Sequence, residues 1–112
     1  MWFYDTIKRE DFEKRKDYVE QVICELGGKK IDIEIPYEHK NTSPVFEFKN
    51  EYFRVDEVLF KDKPFIVLEY GTLEKLMKNT MEDADPFPFD LNDDDIVKEV
   101  RYALGIEPYP AQ

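Results

Sequence analysis

The densest set of residues able to do chemistry lies between Glu82 and Asp95. Glu82, Asp83, Asp85, Asp90, Asp93, Asp94 and Asp95 supply seven carboxylates without one base, in a chain whose net charge is −10. Pro86-Phe87-Pro88-Phe89 sits in the middle of this run. Such a concentration of charge steers basic partners from a distance, and a proline-stiffened aromatic pair can add the desolvated anchor that charge alone lacks. Asp83, Asp85, Phe87, Phe89 and Asp90 are therefore the expected partner-binding residues. Of the two dispositions open to the phenylalanines, a presented recognition strip or a fold back over the core, the fold-back is favoured because exposed rings are a liability, and it leaves the surrounding acids as a wet rim.

A second candidate set is His39, Glu69 and Tyr70, polar groups that could border a small-molecule or catalytic pocket between sheet and helices. His39 is the only histidine and lies beside Glu38 with Ser43 nearby, but no nucleophile elbow surrounds that serine. Glu69 follows the most apolar run in the chain and is the acid whose neighbours best suggest burial. Asp90-Leu91-Asn92-Asp93-Asp94 spaces oxygens like the start of a calcium loop. The match fails at the turn glycine, which is Asp95, and at the closing glutamate, which is Arg101. One histidine and one cysteine cannot assemble an ordinary zinc site, and the four glycines form no phosphate loop. Neither a metal nor a cofactor is implied, and no catalytic set is complete.

Charge narrows the partners further. An acidic chain repels phosphate backbones and anionic lipid, so neither nucleic acid nor membrane is expected. The basic residues Lys8, Arg9, Lys14, Arg15 and Lys16 interleave with Glu10, Asp11, Glu13 and Asp17, as on a solvated helix face laced with local ion pairs. Cys24 stands alone, which excludes an internal disulfide. With no signal-like stretch at the start, it points to a cytoplasmic setting.

The elements that must carry these groups follow from periodicity. Phe12, Val19, Val22, Ile23 and Leu26 form one helical stripe, Gly27-Gly28 ends it, and Cys24 points away from it. Ile31-Asp32-Ile33-Glu34-Ile35 alternates as a strand. Val45–Lys49 and Tyr52–Asp56 predict a hairpin about Asn50-Glu51, with Phe48 opposite Phe53 and an outer ion pair between Glu47 and Arg54. A bulge at Asp56-Glu57 would keep Val58 and Phe60 inward. Lys61–Pro64 reads as a turn, and Phe65–Leu68 as a strand interior to the sheet. A short helix begins at Leu73 behind Thr72. The last helix is capped by Asn92 and stopped by Gly105, with Ile96, Val97, Val100, Ala103 and Leu104 on its apolar stripe.

The expected fold is a single α+β domain over 1–112: a mainly antiparallel sheet of about four strands, a long N-terminal helix, two C-terminal helices and a stiff tail at 106–112. The expected function is a protein-interaction or inhibitory, immunity-type module docking on a basic partner. The alternative is a small-molecule binder or small enzyme.

Overall fold

The computed structural model describes residues 6–37 and 44–110. In chain order its elements are helix α1 (Thr6–Glu25), strands β1 (Lys29–Ile31), β2 (Val45–Phe48), β3 (Glu51–Phe60) and β4 (Lys63–Gly71), helix α2 (Leu73–Lys78), the two-residue strands β5 (Glu82–Asp83) and β6 (Phe87–Pro88), and helix α3 (Asp93–Ala103). It is an α+β fold. An antiparallel sheet packs with N-terminal and C-terminal helices, and the helices number three among the described residues. The sheet order is β1-β2-β3-β4, and β5 and β6 both pair with the outer edge of β4.

One face of the sheet carries the main core. Phe12, Val19, Val22 and Ile23 of α1 and Ile96 and Val100 of α3 meet Phe46, Phe53, Val55, Ile66 and Leu68 from the strands. This is the outcome the helical stripes dictate, because each apolar face must be covered by another. Cys24 lies outside the stripe and is exposed. The opposite face is covered too. Val45, Val67 and Leu76 are buried there, with α2 packed on β3 and β4. Tyr37 ties its hydroxyl to the Leu76 carbonyl.

Several strand expectations need correction. The β2–β3 turn is Lys49-Asn50, both at positive φ (49° and 67°), rather than Asn50-Glu51. Phe46 therefore faces Phe53, Glu47 faces Tyr52 and Phe48 faces Glu51. A slip of two residues leaves every side chain on its face, so hydrophobic alternation cannot detect it. The turn decides, since a two-residue connection of this hand needs left-handed backbone at both central positions. Arg54 consequently has no partner in Glu47, and it is buried (1% exposed) rather than outside.

No bulge interrupts β3, which pairs with β4 in one register from Tyr52 opposite Gly71 to Phe60 opposite Lys63. Val58 and Phe60 then stay on the face of Arg54 and are exposed near the Lys61-Asp62 turn. The strand expected at 31–35 is displaced as well. Lys29–Ile31 pairs with β2, while Asp32–Ile35 keeps the alternation in burial but joins no ladder among the described residues.

Candidate functional site

The acidic segment lies along the free edge of β4, and its two ends are held differently. Phe87 faces Ile66 across the β4–β6 pairing and is only 3% exposed. Phe89 is partly buried, its ring edge-on to Phe12 at 5.5 Å. The fold-back disposition is thus the one observed, and neither ring is offered as a protruding anchor. Beyond them the chain is clamped by α1: Arg15 donates to the carbonyls of Phe89 (3.3 Å) and Leu91 (2.8 Å) and pairs with Asp93 at 2.9 Å. Arg9 reaches Glu57 with both terminal nitrogens, at 2.7 and 2.8 Å. That doubly donated hydrogen bond holds the Glu57 carboxyl below its ordinary range. Arg9 also meets Glu13, one turn further along the helix, at 2.8 Å. Arg9 and Arg15 of α1 therefore reach across to the sheet and the acidic segment, which periodicity on one helix could not reveal.

At the other end of the segment is a groove of about 370 Å³. Glu51 and Tyr70 of the strands, Asp83–Asp85, Tyr102 and Ala103 of α3, then Gly105 and Tyr109 line it. The tail folds back to complete it. Gly105 takes φ +75°, Arg101 binds Glu107 at 2.6 Å, and Tyr109 comes to rest on Tyr102 with centroids 5.1 Å apart and planes tilted by 37°. No basic residue lines the groove, and no basic side chain pairs with Glu51, Asp83, Asp85 or Glu99 among the described residues.

The consequence is electrostatic. Burial first, then Asp85 and Asp95, push the Glu99 carboxyl up. Burial followed by the charge of Glu82 and a hydrogen bond to it, then Glu51 and Asp85, raises the Tyr70 hydroxyl. Tyr109 is raised by burial, with Asp85 and Glu99 adding to it while the Asp85 backbone acts the other way. Asp83 lies opposite Glu69, so its carboxylate turns to the far face of the sheet, where burial and then Asp56 raise it. In each of these shifts burial is the leading cause, and neighbouring acids add to it.

The remaining candidates separate. Glu69 and Tyr70 are consecutive strand residues on opposite faces, so the two do not line one pocket. His39, like Glu38 and Ser43, lies outside the described residues. Glu69 accepts from Arg54 Nε at 3.1 Å, and the buried Arg54 leaves both terminal amino groups without an acceptor among the described residues. With Glu69, Asp56 and Asp83 on the same face, that pair sits in net negative surroundings that disfavour a bound anion. Asp90 is exposed beside the arginine clamp. A mostly apolar cleft of about 500 Å³ runs along Ile31, Ile33, Ile35, Pro44 and Val45, with only Lys30 and Asp32 as charged lining. No group of three or more potential metal ligands converges among the described residues, and no described helix is long and apolar enough to cross a membrane.

Of the expected partner-binding residues, Asp85 and the backbone at Asp83 therefore reach the groove. Tyr102, Tyr109 and Glu51 were missed. Tyr109 carried a weak signal, being an aromatic between two prolines just after a helix stop. Comparison of the chain with protein-family models, with curated proteins and with solved structures found no match in any of the three.

Proposed function

We propose that this protein is an interaction module that docks on a basic protein through the groove between the acidic segment and the end of α3. The observation that carries this reading is the combination of Tyr70, Tyr102 and Tyr109 with Glu51 and Asp85 in one depression free of described basic lining. A cationic side chain entering there would offset the repulsion that the neighbouring acids add to burial at Glu99 and the tyrosines, while aromatic surface supplies area that a bare acidic rim lacks. An inhibitory module that covers a basic surface is the form of interaction most consistent with such a patch.

Affinity capture from the native cell extract tests the reading. A basic protein should be retained, its retention should fall with added salt, and Glu51→Gln combined with Asp85→Asn and Glu99→Gln should reduce it sharply. Retention of only neutral or acidic proteins, or of a basic protein indifferent to all three substitutions, would refute it.

A further inference from the structure

Resting on that reading, we propose that the groove selects arginine: a planar guanidinium from the partner lies against the Tyr109 ring and hydrogen-bonds to the carboxylates of Asp85 and Glu51. Three features of the groove separate this cation from lysine. The first is an available aromatic face. Tyr109 stays 40% exposed although its ring is positioned against Tyr102 at 5.1 Å, so the residue keeps surface that a flat group can meet. A guanidinium stacks on such a face while keeping its in-plane donors for carboxylates, which an ammonium on a flexible stem cannot match.

The second feature is shape. Ala103 and Gly105 add little bulk to the lining, and a Cβ built at Gly105 would meet nothing within 4 Å, which leaves room for a broad planar group. A methylated lysine is the competing occupant, because Tyr70 and Tyr102 line the groove as well, but a cage for it must close round the ammonium whereas this groove is open at Gly105. Hydration is the third difference. A guanidinium is more weakly hydrated than an ammonium and loses less on entering a half-closed groove.

The experiment uses the intact chain and three labelled peptides of equal length and charge, carrying arginine, lysine or trimethyl-lysine, with affinity read by fluorescence anisotropy. The arginine peptide should bind about threefold to thirtyfold tighter than either of the others. Tyr109→Ala should bring the arginine and lysine peptides together, and Tyr109→Phe should keep them apart. Tyr109 lies in the tail outside the helices and strands, and circular dichroism would verify that both variants remain folded. Equal binding of arginine and lysine peptides, a preference for trimethyl-lysine, or arginine preference surviving Tyr109→Ala would each overturn arginine selection while leaving docking on a basic partner standing. Absence of binding by all three peptides would overturn both.

Discussion

From Phe87 to Asp93 the acidic segment is integrated with the fold, its phenylalanines in the core and its carbonyls held by Arg15. From Glu82 to Asp85 it borders three tyrosines, Asp85 acts on the Glu99 carboxyl, and Lys75 lies 3.9 Å from Glu82. Both stretches are acidic and without a base, though only the first carries phenylalanines. What separates them is which helix lies alongside: α1 brings arginines to the first, while α3 brings further acid and the tail to the second. Net charge thus conceals a division between acids used to hold the fold together and acids without a described counter-ion.

The first way to break this comparison is to loosen the integrated end. Phe87→Ala removes a ring that is 3% exposed and packed in the main core, and should cost about 3–5 kcal/mol in chemical denaturation. A loss under about 1 kcal/mol would mean the segment is merely laid over the sheet. Arg15→Ala should cost less, about 1–2 kcal/mol, because its hydrogen bonds from a charged donor are valuable but the side chain is still 26% exposed to solvent. The same substitution should leave basic-peptide binding at the groove intact. If binding fails instead, the two ends are one unit.

Asn92→Ala sharpens the boundary between the regions, since Asn92 accepts the Asp95 amide at 2.8 Å where the segment turns into α3. The expected loss is about 1 kcal/mol. Destabilisation following Asp90→Ala instead would place the cap elsewhere.

How much of this was legible depended on whether a signal was local. The ends of α3 were readable because Asn92, Asp95 and Gly105 act within a few residues of one another. The main core was readable because Phe12, Val19, Val22 and Ile23 repeat at the helical period. The β2–β3 register was not, since shifting by two preserves every face and only the backbone of Lys49 and Asn50 distinguishes the choices. Arg54 was misplaced for a related reason: alternation separates two faces but does not say that α2 will cover the second. The groove required Glu51, Asp85, Tyr102 and Tyr109 to meet from four parts of the chain, and no spacing rule joins those.

The smallest expected effect separates the regions most cleanly, because it differs in sign. Glu57 has its folded pKa lowered from 4.5 chiefly by the Arg9 hydrogen bond, so its stabilisation is fully present above the unfolded value and is lost as pH falls through the folded one. Glu99 has its folded pKa raised from 4.5 chiefly by burial and then by Asp85 and Asp95. For a raised carboxyl the folded state holds the proton more tightly, so a penalty is complete above the folded pKa and disappears as pH falls to the unfolded one. Glu57→Gln should therefore lower the thermal midpoint at pH 7, and Glu99→Gln should raise it. Both differences should shrink on acidification, the Glu99 difference first, because its folded pKa is the higher of the two. A fall in midpoint for Glu99→Gln at pH 7 would mean that a cation already compensates Glu99, removing the contrast between the two ends of the segment.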